Sequence, residues 1–121
     1  KIVGHSVVAQ PAPWFTTAPI GAISHLLTRI HWSVSDIDLF EINEAFAVVP
    51  MAVMGELNLS ADQVNIHGGA CALGHPVGAS GARIVVSLLH ALQHHQLQRG
   101  IAAICLAGGE ALALAIERLP Q

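Results

Sequence analysis

Three side chains able to work on a carbonyl stand where apolar runs of this chain end: Asn43, His75 and Cys105. A carboxamide can hold a water or a carbonyl oxygen. An imidazole takes and returns a proton near neutral pH. A thiol delivers a proton and, as thiolate, removes one. Asn43 follows the run Ile37, Leu39, Phe40, Ile42 and precedes a helical stretch. Its plain reading is an N-cap that accepts from free backbone N–H groups. At a strand end it would also face the crevice in which α/β folds bind ligands, and the two readings are compatible. Cys105 closes an apolar run just before Gly108-Gly109. Taken alone it is a small buried hydrophobe. At a strand end beside free backbone N–H groups it is a thiol next to an oxyanion-stabilising loop.

His75 lies in residues 68–81, Gly-Gly-Ala-Cys-Ala-Leu-Gly-His-Pro-Val-Gly-Ala-Ser-Gly, a turn-rich segment with five glycines and one proline. Glycines this dense allow unusual backbone angles and close approach of a ligand. A helix from about Ser80 would point its free N–H groups and positive dipole end back at the loop. That favours the neutral imidazole a base needs. Without context His75 is one of eight histidines and reads as a surface group on a tight turn. His67, His90, His94 and His95 form no convincing metal pattern. His90 and His94 are four apart, with no further ligand nearby.

The elements that must position these groups follow from periodicity and breakers. Residues 1–9 read as a strand ended by Pro11 and Pro13, and residues 14–17 as loop. Pro19 suits the first turn of a helix to about Ile30, with Ile23, Leu26, Leu27 and Ile30 on one face. Residues 36–42 read as a strand and 44–57 as a helix that Pro50 should kink. A helix over about 80–97 carries Val85, Leu88, Leu89 and Leu92 on one face. Residues 101–106 and 111–116, split by Gly108-Gly109, read as a hairpin. The order implies one α/β domain over 1–121, a layered mixed sheet with helices on both faces.

Composition narrows the classes. In 121 residues, 53% are hydrophobic and only 11% charged, against a usual quarter. So apolar a chain folds rather than staying disordered, yet has too little charge to cover itself. Part of its surface is therefore expected to be covered by another chain or domain, and the isolated chain to self-associate. A net charge of −3 with no basic run argues against nucleic acid. The longest apolar stretch, 46–54, is too short for a membrane span. Cys71 and Cys105 make no disulfide framework, which suits a reducing, cytoplasmic setting. A start at Lys1 without methionine suits a fragment or separated domain.

Three blocks together resemble the thiolase family: Asn43-Glu44-Ala45-Phe46, the 68–81 block with Gly74-His75-Pro76, and 105–109 followed by an apolar strand. Their order and spacing agree with the family over nearly the whole chain, which corresponds to the C-terminal half of the thiolase fold. The resemblance implies a chain several times longer, built of two similar halves in a homo-oligomer. Its N-terminal half would carry an acyl-accepting cysteine and most of the coenzyme A site. The activity implied is acyltransfer by Claisen condensation or thiolytic cleavage of 3-ketoacyl-coenzyme A, such as acetoacetyl-coenzyme A. The thioesters are substrates and no cofactor or metal is called for.

By the same resemblance His75 would be the base that activates the cysteine of the other half, and would point at the thioester oxygen. Asn43 would hold a water completing that oxyanion site. Cys105 would move the proton at the α-carbon, and the Ala107 backbone N–H would serve a second oxyanion hole. Ala45 and Phe46 would lie beside the pantetheine arm. Two departures stand out. Ala107 occupies a position usually glycine, which is costly if its φ is positive. Glu110-Ala111 replaces a more usual glycine-containing pair. Competing readings are a non-catalytic thiolase-like module for assembly or lipid binding, and a free-standing Cys/His hydrolase. The hydrolase would need His75 and Cys105 within hydrogen-bond reach and a third group orienting the ring.

Overall fold

The computed structural model describes residues 1–119. Its strands are β1 (Ile2–Ala9), β2 (Leu39–Ile42), β3 (Arg99–Cys105) and β4 (Glu110–Glu117). They form one sheet in the order β1-β4-β3-β2. The pairs β1–β4 and β3–β4 are antiparallel, and β2–β3 is parallel. The helices are α1 (Ala18–Ile30), α2 (Val48–Leu57), a single turn α3 (Ala70–Leu73) and α4 (Ser80–His94). The sheet is mixed with helices on both faces, as expected.

Strand alternation sorts side chains to the two faces. On one face Ile101, Ala103 and Cys105 of β3 and Ala111, Ala113 and Ala115 of β4 join Ile23 and Leu26 of α1 and Val49 and Val53 of α2 in a single core. Alanines on the central strands leave room for α1 to lie close. Ser6, buried beneath α1, donates its hydroxyl to the Ala22 carbonyl at 2.6 Å, which removes the cost of an unpaired buried group. On the other face Ile84, Leu88, Ala91 and Leu92 of α4 cover Leu39 and Ala102. A Cβ at Gly100 would come within 2.7–3.0 Å of Leu88, so glycine there lets α4 approach β3.

Several boundaries differ from the sequence expectation, among them the strand expected over 36–42, which begins only at Leu39. The helix expected over 44–57 starts only at Val48, because Glu44 is tied elsewhere by its carboxylate. Pro50 therefore falls in the first turn, where its missing N–H breaks no intrahelical bond, and no kink is required. Helix α4 stops at His94 instead of running to 97. There Gln96 takes φ 56° and the Leu97 N–H reaches back to the Leu92 carbonyl at 2.9 Å, a left-handed helix end. Residues 14–17, expected as loop, belong to a 3-10 helix over Ala12–Thr17.

Helix α4 leaves the β1–β4 end of its face open. Val7 is 57% exposed and Leu112 39%. Beside them a hollow of about 320 Å³ is lined mainly by apolar side chains, among them Ile84, Val85, Ile104 and Leu114. Light scattering on the isolated chain is expected to show self-association that rises with concentration. A monomer over a wide range would show this face to be inert.

Glu41, on β2, is 2% exposed, with one oxygen unpaired among the described residues. Burial pushes its pKa up to about 7, Arg83 opposes this, and Glu44 adds to it. A carboxyl whose folded pKa lies above its unfolded value near 4.5 holds its proton more tightly when folded. Its contribution to stability is complete below the unfolded pKa and is lost as pH rises through the folded one. Urea unfolding at about pH 5 and about pH 8 should show that loss, and Glu41→Gln should reduce it. Identical pH slopes in both variants would remove Glu41 as the cause.

Candidate active site

Parallel pairing of β2 with β3 sets the first two groups side by side. The Asn43 N–H continues the ladder by donating to the Ala103 carbonyl at 2.9 Å. Asn43 and Cys105 thus stand at the ends of neighbouring strands that point the same way. Helix α4 must run back along β3 to join it through a short connection, so its first turn and the His75 loop lie at that same edge.

Asn43 is not an N-cap. Helix α2 is preceded by Ala47 and has no side-chain cap. The Asn43 side chain is wholly buried, and its Nδ2 lies 3.3 Å from His75 Nε2. The two side chains are thus in direct contact. The other ring nitrogen, Nδ1, is 2.5 Å from Ser80 Oγ, and that hydroxyl donates to the Pro76 carbonyl at 3.1 Å. The Asn43 Nδ2 can only donate, so His75 Nε2 accepts from it and the ring proton sits on Nδ1, where Ser80 Oγ accepts it. The neutral ring then carries its lone pair on Nε2, where the Asn43 amide donates. Asn43 Oδ1 is buried and finds no partner among the described residues.

His75 and Cys105 line one cavity of about 470 Å³ with Phe15, Ala45, Phe46, Val77, Ile104, Leu106 and Ala107. Phe46 meets Phe15 edge-on, ring centroids 6.1 Å apart, a favourable aromatic geometry. Cys105 is 5% exposed and belongs to the core as well as to the cavity wall. Burial pushes its thiol pKa up, and its own backbone N–H opposes this in part. The group is a protonated thiol at neutral pH.

The turn after Cys105 is fixed by three hydrogen bonds. Leu106 N–H donates to Glu110 O at 2.8 Å, Gly109 N–H to Leu106 O at 3.0 Å and Gln10 N–H to Gly109 O at 3.0 Å. Among the described residues none uses the Ala107 N–H, which is left at the cavity wall as a possible donor. Ala107 is not among the residues with positive φ, so alanine there costs no backbone strain.

Sequence reasoning missed Ser80 as the partner of His75. The signal was a hydroxyl five residues on, at the first position of a helix. It also missed Glu44, whose carboxylate accepts from Asn65 Nδ2 at 3.0 Å and Cys71 N–H at 2.8 Å. His67, His94 and His95 cluster on the surface, with His67 and His95 Nε2 atoms 3.2 Å apart. Among the described residues, no three His, Cys, Asp or Glu side chains are placed to hold a metal ion. Both cysteines are free, and no described helix is long and apolar enough to cross a membrane.

Gly109 has φ 98°, and a Cβ there would collide with the Gln10 carbonyl. Gly109→Ala is expected to destabilise the chain by about 2 kcal/mol or more. Chemical unfolding measures this, and a change within about 0.5 kcal/mol would show the turn to be free to move.

Residues 1–118 match the family profile described as "Thiolase, C-terminal domain". The chain is 53% identical over 118 residues to the cytosolic acetyl-CoA acetyltransferase of Mus musculus, covering 98% of this chain and 30% of that one. It superposes on the crystal structure of the Bacillus anthracis acetyl-CoA acetyltransferase with a TM-score of 0.95 at 47% identity, covering 98% of this chain and 30% of the other. A thiolase from Ascaris suum, solved in complex with coenzyme A, matches with a TM-score of 0.92 at 46% identity over 98% of this chain and 31% of its own. The chain thus spans about 30% of the length of the relatives it matches.

Proposed function

The chain belongs to the thiolase family, as its C-terminal domain, and from that we propose that it supplies the acid/base half of an acyltransferase acting on 3-ketoacyl-coenzyme A. The observation that carries the reading is the Asn43–His75 contact on a cavity shared with Cys105 and Ala107. In thiolysis, His75 Nε2 takes the S–H proton of a cysteine in the N-terminal half, and the thiolate attacks the keto carbon. The bond from that carbon to the α-carbon breaks, and its electron pair becomes the enolate of the departing thioester. The Cys105 thiol protonates that α-carbon. The Cys105 thiolate then takes the proton of incoming coenzyme A, whose sulfur attacks the acyl-cysteine and releases the new thioester, and the expelled cysteine thiolate recovers its proton from His75. The raised thiol pKa suits Cys105 to its first task. The Ala107 N–H would face the oxygen of the adduct that the thiolate forms at the keto carbon, and His75 with an Asn43-held water the enolate oxygen of the departing thioester. Ala45 and Phe46 would lie along the pantetheine arm.

The acyl-coenzyme A is the substrate, and the reading calls for no separate cofactor. The partner it requires is the N-terminal half of the same enzyme, and the open apolar face beside α4 is a surface of the kind a second half would cover. A homo-oligomer in the cytoplasm is the setting we propose, in keeping with the cytosolic relative. A free-standing Cys/His hydrolase fits less well, because the ring nitrogens of His75 engage Asn43 and Ser80 and not Cys105. A non-catalytic module fits less well because Asn43, His75 and Cys105 all stand together.

The isolated chain is expected to be inactive in acetoacetyl-coenzyme A thiolysis. In the full-length protein, Cys105→Ser should preserve acylation of the enzyme while slowing the carbon–carbon step by about 10²–10⁴-fold. His75→Ala should slow both. Rapid-quench measurement of acyl-enzyme formation separates the steps. Turnover by the isolated chain near that of a whole enzyme would overturn the reading.

A further inference from the structure

We propose that Glu44 is a positioning residue that fastens the His75 loop to the end of β2 and so sets His75 against Asn43. The inference rests on the thiolase reading for its catalytic consequence but not for its geometry. Asn43 and Glu44 are adjacent, and they reach the same loop at two places. The Asn43 side chain meets His75 itself. The Glu44 carboxylate meets the beginning of the segment, accepting from the Cys71 N–H at 2.8 Å through one oxygen and from Asn65 Nδ2 at 3.0 Å through the other. Asn65 closes the clasp. Its Oδ1 accepts from the Ile42 N–H at 2.8 Å, and its Nδ2 donates to the Ile42 carbonyl at 2.9 Å.

The fit is close. Gly69 passes over the carboxyl group so tightly that a Cβ there would lie 2.5–2.7 Å from its atoms. The Cys71 N–H is one of the free first-turn donors of α3, so Glu44 closes off that turn. The turn continues through the Gly74 N–H, which donates to the Ala70 carbonyl at 2.8 Å, directly into His75. A single hydrogen-bonded turn is therefore all that separates Cys71 from His75.

A carboxylate suits this better than an amide, because both contacts ask for an acceptor. Burial disfavours its charge, but the Cys71 N–H, the Asn65 amide, the Cys71 thiol and the nearby Arg83 together outweigh that and hold its pKa below the usual range. The Cys71 thiol is in turn pushed up by the carboxylate it leans on. Glu44 touches neither ring nitrogen of His75, so any effect on chemistry must pass through the loop.

The test uses the full-length protein and two independent readouts. Histidine-selective ¹⁵N NMR reports the His75 tautomer whether or not the enzyme turns over. The wild type should show Nδ1–H, whereas Glu44→Ala and Gly69→Ala should show a mixture with Nε2–H. In acetoacetyl-coenzyme A thiolysis, Glu44→Ala should lower kcat about 100-fold with KM little changed, as a displaced catalytic group does. Glu44→Gln keeps one acceptor and should lose about tenfold, one hydrogen bond's worth. If Glu44→Ala does not fold, Glu44→Gln decides the matter by the same readouts. In a His75→Ala background, Glu44→Gln should have no further effect, because the group it positions is gone. An unchanged tautomer in the Glu44 variants, or losses that add to that of His75→Ala, would overturn the proposal. A wild type with no thiolysis would refute the functional reading alone, and the tautomer would still decide the positioning role.

Discussion

The parallel pairing of β2 with β3 is the constraint on which the rest of the molecule depends. Strands that pair in parallel end at the same edge of the sheet, and the chain between them must cross back over it. Here the crossover carries α2, the glycine-rich loop and α4. Because α4 returns along β3, its first turn is delivered to the edge where β2 and β3 end. Asn43, His75 and Cys105 are 32 and 30 residues apart in the chain (75 − 43 and 105 − 75), and only this topology makes them neighbours. An antiparallel β2 would have sent Asn43 to the far edge.

Placement at an edge is coarse, and a proton transfer needs finer control. The hydrogen bonds from Pro76 through Ser80 to His75, and on to Asn43, supply it. Because the Asn43 Nδ2 can only donate, the chain of bonds has a single consistent direction. It leaves the basic nitrogen on the Asn43 side. Such second contacts often decide which ring nitrogen does the chemistry. The cost is a buried Asn43 oxygen without a partner among the described residues, the kind of local deficit that functional sites tolerate and that packing elsewhere offsets.

The two faces of the sheet divide the labour. The face beneath α1 and α2 is closed by alanine and branched side chains and gives the domain its own core. The face that carries α4 is only partly covered, and its apolar remainder is too extensive for a chain with so few charges to hide. That face has a core of its own under α4, and the apolar remainder beside it is a surface of the kind that another chain or domain would cover. A chain that spans about 30% of its relatives' length agrees with that.

Much of this was legible in the chain itself. Apolar periodicity located α1 and α4, Gly108-Gly109 marked the hairpin turn, and the glycine density around His75 singled out the loop. These signals are local, because a helix face or a tight turn is written in neighbouring residues. Boundaries set by distant contacts were not legible. Asn43 looked like a cap and Pro50 like a kink, because nothing nearby shows that Glu44 is held by residues 65 and 71, and that α2 must therefore start late. The direct Asn43–His75 contact, the role of Ser80 and the tautomer were likewise decided only by the tertiary structure. Hydrogen bonds between side chains far apart in sequence depend on where the sheet brings their backbones, and no local pattern encodes that distance. The sequence determined which groups could do the chemistry and the elements that carry them, while the parallel crossover and the Glu44 clasp decided how those groups meet.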